Sequence, residues 1–320
     1  MTDYKDKLTT LLKEKRPNLR ESSLKLYVNN MNKLSKLLNQ DDFTNVNFLN
    51  DKDDIEKVLL GKSNHTIKTY YASIVVVLMA LDKDEKLINK YRKDMEELQE
   101  DYKNKMDTQT KTEKQQKNWL NYDELLTIMN KLRKRVAYDG LLKKDELNRK
   151  DKSLMQSWVV ASLYLLEPEA NPPIRLDYAP MDIISHKEYE KLNSPKKNYL
   201  VIKSRNQKYF AFNDYKTVGS YKEKEIKVGA KLNSVINHWL RFNKTNHLLL
   251  NSNNEPLSSN GLTKFINSIF KHTNKKVSVS MIRHAYLSNR YEADNEDKKK
   301  IAEAMMHSTS QQTEYIKTDE

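Results

Sequence analysis

The chain has 320 residues, 38% of them hydrophobic and 32% charged, and its 57 Lys+Arg against 44 Asp+Glu leave a net charge of +13. A balance this basic favours a polyanionic partner, nucleic acid before a membrane surface. Cysteine is absent, which excludes disulfides, thiolate metal sites and cysteine nucleophiles and suits a reducing compartment.

No apolar run approaches a membrane span, and the opening MTDYKDKLTT has no signal-peptide core, so a soluble intracellular protein is expected. The first hundred residues read as helices. Leu24, Tyr27, Val28, Met31, Leu34 and Leu38 recur at helical spacing behind the start signal of Pro17-Asn18 and Ser22-Ser23. A second helix follows Ser63-Asn64-His65-Thr66, with Ile67, Tyr70, Ile74, Val77 and Leu81 on one stripe. Its run 74–78 is apolar almost all round, which predicts the centre of a small bundle. A charged third helix is expected over 86–102. The polar stretch MDTQTKTEKQQK (106–117) lacks apolar periodicity and reads as a linker. It separates a helical domain, 1–105, from a second domain, 118–320.

The second domain opens with Trp119-Leu120 and a helix through Leu125, Leu126, Met129 and Leu132, followed by a solvated stretch, 139–152. Residues 157–166 form the most apolar helix of the chain. It stops at Glu167-Pro168, and Pro172-Pro173 forbids a simple continuation. Three short runs, 199–202, 209–212 and 225–228, predict a three-stranded antiparallel sheet. Helices resume near Leu232 and again over 259–272, 281–291 and 297–306. The expected fold class is mainly α: a helical N-terminal domain joined to an α+β domain of helices with a small sheet.

The five glycines are too scattered for a phosphate-binding loop, and no two histidines have metal-ligand spacing. No cofactor is expected, and the carboxylates show no pattern of a two-metal site. Arginine is scarce, 11 of the 57 basic residues, so an arginine at a structurally marked point says more than positive charge requires. Arg175 follows the apolar helix and the double proline in NPPIRLDY. Lys216 lies in FNDYKTVGSYKEKEIKV, between two predicted strands. Arg283 lies in VSVSMIRHAYLSNR, where a strand-like run meets a helix. His307 and Tyr315 follow in AMMHSTSQQTEYIK, a stretch with few bulky apolar residues after Met306.

Taken in order, Arg175, Lys216, Ser280-Met-Ile-Arg283, His307 and Tyr315 resemble the signature of the tyrosine recombinase (phage integrase) superfamily, to which type IB topoisomerases are related. That signature has an arginine after a buried helix, a lysine on a β-hairpin, His-x-x-Arg, a histidine or tryptophan, and then a tyrosine. LRESSLKLYVNNMNKL and NHTIKTYYASIVVVLMAL likewise resemble the two characteristic helices of the family's core-binding domain, so the resemblance spans nearly the whole chain. It implies a site-specific recombinase or integrase of a virus or mobile element, acting on double-stranded DNA as a tetramer. Cleavage and rejoining would pass through a 3′-phosphotyrosyl intermediate without metal or ATP. The alternatives are relaxation of DNA by type IB topoisomerase-like chemistry and a DNA-binding relative that has lost catalysis.

The residue types suit those roles. Attack on a phosphodiester adds charge to its non-bridging oxygens, and two guanidiniums grip such oxygens in a fork that lysine cannot reproduce. A phenol, with a reference pKa of about 10, needs a proton acceptor or cationic surroundings to become a nucleophile. Arg175 and Arg283 supply the surroundings, and His307 can accept the proton or bond the phosphate. The leaving 5′-oxygen needs a proton, which a lysine near the DNA can give. Lys216 is preferred for its Tyr-Lys-Thr turn, with Lys203 and Lys208 as alternatives. Singly, each residue also has an ordinary structural explanation: Arg175 as a helix cap, Arg283 as a salt bridge, His307 and Tyr315 as surface residues.

The chain departs from the family pattern at several points. Ser280 stands where the family has the first histidine, and serine is neither a cation nor a strong base, so slower or differently tuned chemistry is expected. His284, beside Arg283, points about 100° away on a helix and reads as structural. Ile174 and Tyr178 replace the glycine and the acidic residue that often flank the first arginine, with Asp177 one place short. The residues after Tyr315, 316–320, are too few for the helix by which many relatives dock into a neighbouring protomer. Phosphate contacts are expected from Lys25, Lys33, Lys62 and Lys68 in the first domain and from Lys203, Arg205 and Lys208 on the sheet, with a steep salt dependence.

Overall fold

The computed structural model describes residues 4–39, 47–107, 111–290 and 295–308, together with 311 and 315; the tail 316–320 lies outside them. The chain divides into two compact units, Met1–Thr108 and Gln109–Glu320. No described helix is long and apolar enough to cross a membrane.

The first unit is helical: α1 (Tyr4–Lys15), α2 (Glu21–Leu37), α3 (Lys52–Leu59), α4 (Asn64–Ala80) and α5 (Glu85–Asp107). Ser63 caps α4 by accepting from the Thr66 N–H, and the apolar run behind it supplies the core, with Ile74, Val75, Val77 and Leu78 all buried. Leu24, Val28, Met31 and Leu34 of α2 belong to the same cluster. Each fully buried aliphatic side chain of this kind contributes about 1.5–3 kcal/mol. Polar groups inside the cluster are paired: Asn30 donates to the Ser73 hydroxyl at 3.0 Å, and the Tyr91 hydroxyl to the Leu49 carbonyl at 2.6 Å.

The second unit runs α6 (Glu113–Asn118), α7 (Tyr122–Tyr138), α8 (Arg149–Leu165), β1 (Asp182–Ser185), α9 (His186–Tyr189), β2 (Tyr199–Ser204), β3 (Gln207–Phe212), α10 (Val218–Tyr221), β4 (Lys224–Lys227), α11 (Ala230–Phe242), α12 (Ser259–Ile269), α13 (Val279–Asn289) and α14 (Asn295–Ala304). Much of the segment expected as a linker is helical: α5 continues to Asp107, and α6 opens on a capping box between Thr112 and Gln115. That Thr-x-x-Gln start signal acts independently of apolar periodicity.

The sheet is four-stranded and mixed, in the order β1-β2-β3-β4, rather than three-stranded and antiparallel. The extra strand, β1, pairs parallel with β2. It is four residues of half-buried to exposed side chains, too short to show an alternating pattern. On the inner face Phe210 and Phe212 of β3 meet Tyr178 at ring-centroid distances of 5.0 and 5.8 Å, and Tyr178 meets Tyr164 of α8 at 5.5 Å. This aromatic column packs the segment that leaves α8 between that helix and the sheet. Further along, the Glu167 carboxylate accepts from the Leu232 N–H and Asn171 Oδ1 from the Gly229 N–H, both at 2.8 Å, which clamps the start of α11. A side chain at Gly229 would collide with the Glu167 carboxylate, so the glycine permits the close approach.

Candidate active site

Arg175 follows the double proline on the segment between α8 and the sheet. Its carbonyl accepts from the Tyr164 hydroxyl at 2.9 Å, so the apolar helix holds the backbone that presents the guanidinium. The side chain is half-buried, with Nη1 donating to the Met306 carbonyl at 3.3 Å and Nη2 reaching Gln311 Oε1 at 3.5 Å.

Arg283 sits near the start of α13, which Ser278 caps by accepting from the Met281 N–H. It is 1% exposed. Nη1 donates to the Tyr315 hydroxyl at 2.6 Å, and Cζ lies 4.2 Å from the Tyr315 ring centroid. Nε and Nη2 are buried and have no hydrogen-bond partner among the described residues. Burial lowers the guanidinium pKa to about 10, with Tyr315 opposing the shift and Arg175 adding to it, so the group stays charged at neutral pH.

At the end of α14, Met306 adopts a left-handed φ of 55°, which turns the chain so that His307 enters the interior. The Met306 carbonyl receives both Arg175 and the Thr217 hydroxyl, the latter at 2.8 Å. His307 is 1% exposed, and Nδ1 lies 3.0 Å from the Ser308 carbonyl. A carbonyl only accepts, so Nδ1 carries the hydrogen and Nε2 keeps its lone pair. That Nε2 is buried without a partner among the described residues. Burial, with Arg283 and Arg175 adding to it against the Ser308 hydrogen bond, lowers the imidazole pKa to about 4. The ring is therefore neutral at pH 7. It stacks on Tyr315 at a centroid distance of 5.6 Å.

Arg175, Arg283, His307 and Tyr315 are thus drawn to one place, with Arg283 donors and a His307 lone pair that are unpaired among the described residues gathered at a phenol. Such an arrangement fits an anion with several acceptor oxygens and a hydroxyl that must lose its proton. Ser280 is exposed in the first turn of α13. Lys216 is exposed and precedes Thr217, which touches the site. It lies in a connection that carries α10, not in a tight hairpin turn. The tight turn is Arg205-Asn206, between β2 and β3, with Lys203 exposed beside it. Among the described residues no group of His, Asp or Glu stands close enough to hold a metal ion.

Two residues passed over in the sequence also belong here. Asp177 feels both guanidiniums, yet burial dominates and raises its carboxyl pKa to about 6. His284, expected to be structural, reaches the Tyr315 carbonyl at 2.7 Å through Nδ1. The sequence signal for Asp177 was its place two after Arg175; for His284 there was only adjacency to Arg283.

Of the expected phosphate contacts, Lys25, Lys33, Lys62, Lys203 and Arg205 are exposed, and Lys68 is half-buried and bonded to Gln99. Lys208 is a correction. It is 3% exposed, and its ammonium donates to the Arg205 carbonyl at 2.7 Å, Asn233 Oδ1 at 2.9 Å and Asn237 Oδ1 at 2.6 Å. Strand alternation puts Lys208 on the same face as Phe210 and Phe212, which is the inner one. Burial lowers its pKa to about 8.

No protein-family model and no curated protein matches the chain. Among solved structures it is similar to XerA recombinase, at a TM-score of 0.40 and 10% sequence identity over 99% of this chain and 94% of that one.

Proposed function

We propose that the protein is a site-specific DNA recombinase that cuts and rejoins double-stranded DNA through a 3′-phosphotyrosyl intermediate. The observation that carries this reading is the Tyr315 hydroxyl held by Arg283, whose Nε and Nη2, like His307 Nε2, are buried without a partner among the described residues. A scissile phosphate supplies the acceptor oxygens that those donors lack.

In the proposed reaction the Tyr315 oxygen attacks phosphorus and its proton passes to His307 Nε2. The P–O5′ bond breaks, and the departing oxygen takes a proton from a lysine. Lys216, beside Thr217, is assigned that role; Lys203, at the tight turn, is the rival. Arg283 and Arg175 stabilise the charge that builds on the non-bridging oxygens. The phosphotyrosyl bond then yields to a 5′-hydroxyl by the reverse path, so no metal or ATP is needed. The net charge of +13 supports a DNA partner, and the exposed lysines of both units supply phosphate contacts. Exchange between two duplexes requires four tyrosines, hence a tetramer on DNA.

The test is covalent capture in EDTA on nicked duplexes randomised on both sides of the nick, with Tyr315→Phe alongside. A protein–DNA adduct formed by the parent and lost in the variant supports the proposal, and the sequences of the captured DNA report its site preference. Salt-dependent binding with no adduct contradicts it.

A further inference from the structure

His284 takes no part in the proposed bond-making, yet it touches Tyr315 twice. Nδ1 stands 2.7 Å from the Tyr315 carbonyl oxygen, and the two ring centroids lie 4.7 Å apart. Because a carbonyl only accepts, Nδ1 must carry the hydrogen. On the other side of the ring, Nε2 lies 3.4 Å from Nε2 of Gln115. That amide is itself oriented, since Gln115 Oε1 accepts from the Thr112 N–H at 2.9 Å in the capping box that opens α6. Its NH2 group therefore faces the imidazole and donates, which requires a lone pair on His284 Nε2. Both partners demand the same neutral tautomer.

We propose that His284, oriented by Gln115, is a positioning residue for Tyr315, holding the tyrosine backbone so that the phenol stands at Arg283 and His307. The proposal rests on the cleavage reaction above. Side chains of consecutive helical residues diverge by about 100°, so a tyrosine lying across α13 meets Arg283 at its hydroxyl and His284 at its carbonyl. The two holds differ in what competes for them. Arg283 is the group the phosphate draws on as charge builds, so its bond to the phenol is shared during the reaction. The bond from His284 to the Tyr315 carbonyl has no such competitor. It can keep the nucleophile aligned while Arg283 turns to the phosphate, and small misplacements of a reacting atom cost about 100-fold in rate.

The experiment compares the parent with His284→Phe, which keeps a ring but has no donor, and His284→Asn, which restores an N–H. Single-turnover cleavage of a nicked duplex is measured at saturating protein, together with DNA affinity and thermal midpoint. His284→Phe should lose roughly 100-fold in cleavage rate at parental DNA affinity and midpoint, and His284→Asn should recover most of the rate. Parental cleavage by His284→Phe overturns the proposal. So does equal slowness of both variants, which makes the residue merely structural. Hydrogen exchange of peptides containing Tyr315, in DNA-free protein, tests the hold without cleavage: it should be faster in His284→Phe than in the parent, and equal rates overturn the proposal. Failure of the parent to form any adduct removes the cleavage reaction itself, while the exchange comparison still reports on the His284–Tyr315 contact.

Discussion

Nη1 of Arg283 donates to the Tyr315 hydroxyl at 2.6 Å, while the other nitrogens of the same guanidinium lie buried without partners among the described residues. A buried donor left unmade costs about 1–3 kcal/mol, and folds retain such groups chiefly where a function needs them. Replacing Arg283 by Met should therefore raise the thermal midpoint while abolishing DNA cleavage, a trade between stability and activity. Arg283→Lys keeps the charge but loses the fork, and its cleavage rate should fall by about 100- to 1,000-fold. Calorimetry and single-turnover cleavage check both. A destabilised Arg283→Met protein would mean the guanidinium is a structural tie.

In the proposed reaction, the acid that serves the leaving oxygen can be identified by changing the leaving group. A 5′-bridging sulfur departs as a thiolate and needs no proton. Lys216→Ala should slow cleavage of an ordinary phosphodiester by about 100-fold or more and recover on the sulfur-bridged substrate. Recovery by Lys203→Ala instead would move the role to the tight turn between β2 and β3.

Stability should carry opposed pH terms from the site. His307 titrates at about 4 in the fold against an ordinary 6.5, so the unfolded chain binds a proton that the folded one refuses. Its contribution to stability rises with pH across that window and is lost as the solution is acidified. Asp177 titrates at about 6 against an ordinary 3.8, so its contribution is present at acid pH and is lost as pH rises through 6. Removing one exposes the other. Relative to the parent, the midpoint of His307→Asn should fall between pH 4 and 6, and that of Asp177→Asn should climb more steeply. Parallel profiles for all three proteins would contradict both assignments.

Salt dependence separates the lysines proposed to meet phosphate from one that serves the fold. Lys25→Ala, Lys33→Ala or Lys203→Ala should each flatten the plot of log affinity against log salt by about one unit. Lys208→Met should leave that slope unchanged. It removes the donor to the Asn233 and Asn237 side-chain oxygens, while the Arg205 carbonyl keeps the two asparagine amides, so it should cost about 1–3 kcal/mol of stability. A reduced slope for Lys208→Met would contradict its burial.

Elements were legible in the sequence where they repeat a local period. The run 74–78 declared a buried helix, and the alternation of Lys208, Phe210 and Phe212 held the information that Lys208 points inward, though its charge argued otherwise. Four residues of β1 are too few to show a period, and the capping box of α6 was hidden by its polar composition. Candidate residues stood out because proline pairs and helix starts mark them locally. What brings them together leaves no local trace: Arg175 meets Met306 across 131 positions, and Gln115 meets His284 across 169. Met306, a residue with no turn propensity of its own, is left-handed where its carbonyl receives the distant Arg175 and Thr217.

Which of the 18 tyrosines carries the DNA is the most direct question for this account. Protein trapped on a nicked duplex would be digested with nuclease and protease, and the nucleotide-bearing peptide located by tandem mass spectrometry. The expected result is a single adduct at Tyr315, joined through a 3′-phosphate. An adduct on another tyrosine, or one joined through a 5′-phosphate, would contradict it.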